Sequence, residues 1–252
     1  MAHRKKGKGF KEEVLFGVHP VTEALKAGRR NILELYITRE KPSPRLIKVA
    51  GLAQEKGISV TKVDPEALTD MAASQFHQGI GARSQGYPFS GLGEILSGKG
   101  LPFLLLLDNI VDPHNLGALI RTALCVGMDG VIIPGDRAAQ PSPTVSKASA
   151  GALEHMRVAR VTNLVSAIGE LKKNGVWIAG MDARADFSLY DSDLNTGLGI
   201  VVGGEDKGVR PLVRKHCDFT VAIPQMGPVN SLNASVAGAV VMYEAMRQRM
   251  AR

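Results

Sequence analysis

The chain has 252 residues, 44% hydrophobic and 22% charged, a balance that suits one large or two modest folded domains and excludes disordered and collagen-like classes. Lys plus Arg exceed Asp plus Glu by 31 − 24 = +7, but Arg4, Lys5, Lys6, Lys8 and Lys11 stand in the first eleven residues without an acid, which leaves 26 − 24 = +2 beyond them. A basic tail (1–11) of this kind tracks a polyanion without reading its sequence, or simply solubilises a disordered terminus.

The apolar stretches Leu101 to Leu107 and Val236 to Tyr243 are interrupted by Pro102 and Gly238 and fall short of the roughly 20 residues that cross a bilayer. Val14 to Val21 contains Gly17, His19 and Pro20, so it makes no signal-peptide apolar segment. Cys125 and Cys217 have no C-x-x-C spacing, and the histidines show no metal-ligand clustering. The expectation is a cytoplasmic protein with no membrane contact, no disulfide and no metal.

Residues 12–83 read as a small α/β unit. Helical patterning near Pro20–Ala27 is followed by a strand Leu33–Ile37, a helix Pro44–Lys56, a strand Ile58–Val63 and a helix opened by Asp64 and Pro65. Asp followed by Pro is helix-start chemistry. Residues 84–100, rich in Gly, Pro and Ser, read as a linker. From 101 to 252, apolar runs alternate with helical patterns: strand Phe103–Leu107, helix Leu116–Val126, strand Val131–Pro134, helix Thr144–Leu153, helix Leu164–Asn174, then strands Val176–Ala179, Ile200–Val202 and Phe219–Ile223, and a last helix Leu232–Arg249. Continuous rather than alternating apolar runs predict a parallel sheet covered on both faces.

Ligands of open parallel sheets gather at the carboxyl ends of the strands, where three loops carry polar chemistry. Asn115 opens a helix bearing Arg121, whose apolar surroundings suggest a buried guanidinium in need of partners. Gly203-Gly204-Glu205 lets backbone approach a ligand beside an acid. The loop from Ile223 runs through Met226 to a helix mouth with Asn230, Ser231, Leu232, Asn233 and Ser235. Taken singly, Asn115 and Asn233 are ordinary helix caps. The glycines match neither the dinucleotide fingerprint nor the P-loop, which disfavours nicotinamide and ATP.

Together and in order, the segments Asn115–Ala123, Val201–Glu205 and Ser231–Ser235 resemble the three motifs of the SpoU (TrmH-type) branch of the SPOUT RNA 2′-O-methyltransferases, and the likeness extends over residues 14 to about 249. The resemblance implies an α/β fold: a C-terminal parallel sheet with a deep trefoil knot, a small N-terminal RNA-binding domain, and a homodimer packed through the knotted domains. It implies S-adenosyl-L-methionine as cofactor, bound by Gly203, Ile223 and Leu232 with Gly204 and Met226 nearby. Asn115, Arg121, Glu205, Ser231 and Asn233 are then the catalytic set.

Within the family, the chain is most similar to bacterial members that methylate a guanosine ribose in 23S rRNA. A tRNA ribose methyltransferase and a non-catalytic RNA-binding assembly protein are the alternatives. The family's arginine is often assigned as general base, yet a guanidinium stays protonated. Arg121 therefore reads equally as a phosphate or hydroxyl clamp oriented by Asn115, with Glu205 as acidic partner or proton relay. Ser231 and Asn233 would hold the nucleotide or fix their loop.

Overall fold

The computed structural model describes residues 12–40, 43–98, 100–205, 207–228 and 231–250; the basic tail and Asn230 lie outside them. In chain order the elements are β1 (Glu12–Phe16), α1 (Val18–Ala27), β2 (Ile32–Thr38), α2 (Pro44–Glu55), β3 (Val60–Val63), α3 (Pro65–Ala72), β4 (Ile80–Gln85), α4 (Leu92–Leu96), β5 (Phe103–Asp108), α5 (Pro113–Cys125), β6 (Gly130–Pro134) and α6 (Pro143–Ala148). There follow α7 (Ala152–His155), β7 (Val158–Val161), α8 (Leu164–Lys173), β8 (Trp177–Met181), β9 (Phe187–Ser188), β10 (Leu198–Gly203), α9 (Pro211–His216), β11 (Phe219–Ala222) and α10 (Ala234–Met250).

Two compact units form. One comprises residues up to 88 together with 141–155, and the other comprises 89–140 and 156–252. The first contains a mixed sheet in the order β1-β4-β2-β3, antiparallel except for β2 with β3. Leu15, Leu25, Leu35, Ile80 and Ala82 pack its core with Leu46 and Val49 of α2. Ser43 and Pro44 start α2, with the Ser43 hydroxyl accepting from Leu46 N. Asp64 occupies the cap position of α3 as expected, but its carboxylate makes no capping bond and lies 3.6 Å from Arg39 Nε instead.

Residues 141–155, read from the sequence as part of the C-terminal domain, belong to this first unit. Arg30, whose side chain is fully buried, donates from Nε to Glu154 Oε2 at 2.6 Å and also pairs with Glu13; Ser146 Oγ donates to Glu154 Oε1 at 2.7 Å. A buried carboxylate and guanidinium stay charged only in each other's company. The single helix expected over Thr144–Leu153 is broken, because Ala150 and Gly151 have φ of 53° and 87°. A Cβ on Gly151 would sit 2.8 Å from Glu23 Cβ, so glycine permits the close approach to α1.

The second unit is a seven-stranded sheet in the order β7-β6-β5-β10-β8-β11-β9, parallel at every pairing. Every residue of β5 and β6 is buried, as strands with helices on both faces require. The expected linker is partly a structural element of this unit. It contains α4, whose Ile95 is 1% exposed within the core formed by Leu104, Leu106, Ile132 and Ile168. Short length and three neighbouring glycines hid this turn of helix from periodicity. Strand β10 lies between β5 and β8, and β11 lies beyond β8, so the loops after β5, β10 and β11 open at one edge of the sheet.

Candidate active site

The first strand end is anchored by a buried carboxylate. Asp108, 0% exposed, accepts at Oδ1 from Arg210 Nε (2.8 Å) and Nη2 (2.6 Å), at Oδ2 from the Arg210 backbone N–H (2.8 Å), and its carbonyl accepts from Gly204 N (3.0 Å). These bonds hold both ends of the segment 204–210 against β5. Packing there leaves no room for side chains: a Cβ on Gly203 would lie 2.0 Å from Gly208 C, and one on Gly204 would lie 2.4 Å from Asn109 O. The two glycines are required by close backbone passage.

The cap of α5 is not Asn115 but Asp112, whose Oδ1 accepts from His114 N at 2.9 Å, with Pro113 next in line. Asn115 falls in the first turn, where its amide is released from capping and donates from Nδ2 to Glu205 Oε1 at 2.7 Å. Asn233 caps α10 and also reaches the strap after β10. Its Oδ1 accepts from Ser235 N (2.9 Å), Val236 N (3.3 Å) and Ser235 Oγ (2.5 Å) at the start of α10, while its Nδ2 donates to Glu205 Oε1 (2.5 Å) and Asn115 Oδ1 (3.1 Å). Residues 115, 205 and 233, far apart in sequence, thus form one hydrogen-bonded cluster. Glu205 Oε1 receives two amide N–H groups, which orients the carboxylate.

Two clefts meet at this cluster. The larger, about 620 Å³, is bordered by Gly203, Ile223, Ser231 and Leu232, with Val202 and Val209 supplying further apolar wall. The smaller, about 290 Å³, is bordered by Asn109, Asp112 and Asn115. Gly204, Glu205, Lys207, Gly208 and Ala234 line both. The larger cleft has the size and mixed apolar and backbone character of a site for an adenosine-sized ligand.

Its mouth holds groups that the sequence reading left out: Asp182, Arg184 and Arg214. Asp182 Oδ1 accepts from Arg184 N at 2.9 Å and Oδ2 from Arg214 Nη1 at 2.5 Å. Partial burial pushes the Asp182 carboxyl up, but these hydrogen bonds and charges outweigh it and hold the group below its ordinary range. For Asp182 and Arg184 the signal was present, since they follow the strand expected at Val176–Ala179, a fourth strand end of the same kind; Arg214 comes from α9.

Arg121 is placed otherwise than expected. Helix α5 buries Leu116, Leu119, Ile120 and Ala123, and Arg121 falls outside that face and is exposed. It makes no hydrogen bond or ion pair among the described residues and lines neither of the two clefts. Apolar neighbours in sequence had pointed to burial, but the helical turn carries them to the other side. Met226, expected near the larger cleft, is 100% exposed and is not among its lining residues.

Comparison with known proteins settles the family. Residues 102–243 match the SpoU rRNA Methylase family, and residues 14–90 match a family described as RNA 2′-O ribose methyltransferase substrate binding. The chain belongs to the SpoU rRNA methylase family. It is 40% identical over 242 residues to the 23S rRNA (guanosine-2′-O-)-methyltransferase RlmB of Xanthomonas campestris, covering 94% of this chain and 96% of the relative. Similarity of 39%, over 94% and 96% of the two chains, extends to a Bacillus subtilis protein named putative TrmH family tRNA/rRNA methyltransferase YacO. The SpoU methyltransferase AviRb of Streptomyces viridochromogenes, solved in complex with AdoMet, superposes with a TM-score of 0.83 at 26% identity, over 96% of this chain and 92% of that one. The SpoU family match spans both clefts and the Asn115–Glu205–Asn233 cluster.

Proposed function

We propose that this SpoU enzyme transfers a methyl group from S-adenosyl-L-methionine to the ribose 2′-hydroxyl of a guanosine in 23S rRNA. The observation that carries the reading is the cluster of Asn115, Glu205 and Asn233 at the meeting of two clefts, an arrangement suited to a methyl donor on one side and an acceptor on the other. Gly203, Ile223 and Leu232 would hold the cofactor, and the glycine cradle at 203–204 fits a ligand approached by backbone. When bound, the cofactor supplies an electrophilic methyl on sulfur.

In-line displacement demands alignment first and proton removal second. Asn115 and Asn233 occupy Glu205 Oε1, which leaves Oε2 to accept the hydroxyl proton as the hydroxyl oxygen forms its new bond. Ser231, at the border of the larger cleft, would hydrogen-bond the nucleotide. The exposed Arg121, without a partner among the described residues, serves as a clamp for an RNA phosphate or meets a second protomer.

A homodimer through the catalytic unit accords with Val236 and Tyr243 of α10, both large and 49% exposed. A cytoplasmic location follows from the ribosomal substrate.

Labelled methyl transfer to unmodified 23S rRNA, with tRNA alongside, tests the function; the product is mapped by resistance to alkaline cleavage. Label at one guanosine of rRNA is expected. Label in tRNA would replace the substrate, and no label despite cofactor binding would promote the binding-protein alternative.

A further inference from the structure

In the function proposed above the smaller cleft is the acceptor side of the site. It holds about 290 Å³, near the lower end of small-molecule sites and of the order of one nucleoside. It shares the strap Gly204, Glu205, Lys207 and Gly208 with the larger cleft, so an acceptor seated here would lie beside the cofactor across Glu205. Its border brings together an apolar surface at Val111, which is 67% exposed, an ammonium at Lys207, and the carboxylate of Asp112.

Asp112 is held in place by its capping role. Oδ1 accepts from His114 N, and Oδ2 has no partner among the described residues. A carboxylate has only acceptors to offer. The Watson–Crick edge of guanine presents two neighbouring donors, N1–H and the N2 amino group. Adenine and cytosine each present an acceptor beside their amino group, which a carboxylate repels, and uracil presents a single donor flanked by acceptors.

Building on the function proposed above, we propose that this cleft is the subsite for the target nucleoside and that Asp112 selects guanine through N1–H and N2–H. Asp112 is then a specificity-determining residue outside the Asn115–Glu205–Asn233 cluster. Lys207, shared by both clefts, stands at the rim where a flanking phosphate passes.

The test uses an rRNA fragment carrying guanosine or inosine at the methylated position, since inosine lacks only the N2 amino group. kcat/KM is measured for the wild type and for Asp112→Ser, together with affinity for both RNAs in the presence of S-adenosylhomocysteine. Serine caps helices about as well as aspartate, so α5 is preserved while the carboxylate is removed. The wild type should favour guanosine over inosine by roughly 10- to 100-fold, the worth of a hydrogen bond to a charged group. In Asp112→Ser, the guanosine value should fall by a similar factor and the ratio approach one, with adenosylmethionine affinity unchanged. Equal use of both RNAs by the wild type, or a wild-type ratio in the variant, would overturn the assignment. Should the wild type bind RNA yet transfer no methyl, the proposed function fails, and the guanosine-to-inosine affinity ratio still decides the role of Asp112.

Discussion

Replacing Arg210 by alanine should expose how the glutamate strap is held. The substitution removes both guanidinium bonds to Asp108, at 2.8 and 2.6 Å, and leaves the fully buried carboxylate with the Arg210-position backbone N–H as its remaining described side-chain contact. Hydrogen bonds to charged groups contribute about 1.5–3 kcal/mol each. The arginine is 43% exposed, so the low end applies, and the expected loss is about 3 kcal/mol. Urea unfolding followed by the fluorescence of Trp177, the single tryptophan and a residue of β8, reads the unit concerned. Because the same bonds fix the segment that carries Glu205, adenosylmethionine affinity measured by calorimetry should fall at least about tenfold, on the scale of 1.4 kcal/mol per decade. Arg210→Lys, which restores one donor, should recover about half of the stability. An alanine variant within about 0.5 kcal/mol of the wild type and with unchanged cofactor affinity would refute the argument, since surface substitutions alone stay inside that band.

Other perturbations have equally definite outcomes. Asn233→Asp keeps the cap of α10 but sets a second carboxylate against Glu205, so kcat should drop at least about tenfold while helicity by circular dichroism stays at the wild-type level. Gly203→Ala drives a Cβ to 2.0 Å from Gly208 C and should weaken adenosylmethionine binding by about tenfold or more through displacement of the strap, as read by calorimetry. Glu154→Ala removes the Nε partner of the buried Arg30 and leaves Glu13 as its remaining carboxylate, so the first unit should lose about 1.5–3 kcal/mol, the worth of one hydrogen bond to a charged group, visible as an early transition in thermal unfolding. The Glu244 carboxyl is held down to about 2, from 4.5, by hydrogen bonds from Arg247 and Gln248. Folding then gains from this group above pH 4.5 and loses the gain as the pH falls toward 2, so Glu244→Gln should flatten the acid limb of the urea midpoint plotted against pH.

Local chemistry is why so much of the framework could be read directly. Strands such as Phe103–Leu107 are runs of apolar residues with nowhere to go but a two-faced interior, and Ser43-Pro44 is helix-start chemistry by residue type alone. Where the signal was short or local rules competed, reading stopped: α4 has five residues, β1 and β4 break apolar alternation with consecutive polar residues, Glu12-Glu13 and Arg83-Ser84-Gln85, and Ala150-Gly151 breaks a helix that periodicity alone would continue. The resemblance supplied the order of the three motifs, but Asn115 was taken for the cap that Asp112 provides, and Arg121 for a buried group.

Those errors share one cause. Residue type and spacing determine which backbone an individual segment adopts, because propensity, capping and apolar periodicity act over a few residues; on that basis the α/β class, the parallel sheet and the polar loops at its strand ends belong to the sequence itself. The meeting of Asn115, Glu205 and Asn233, the burial of Asp108 under Arg210, the attachment of residues 141–155 to the first unit through Arg30 and Glu154, and the division of the site into two clefts depend on strand order. Strand order is decided by which surfaces pack together across the whole chain, so only the tertiary structure could fix them.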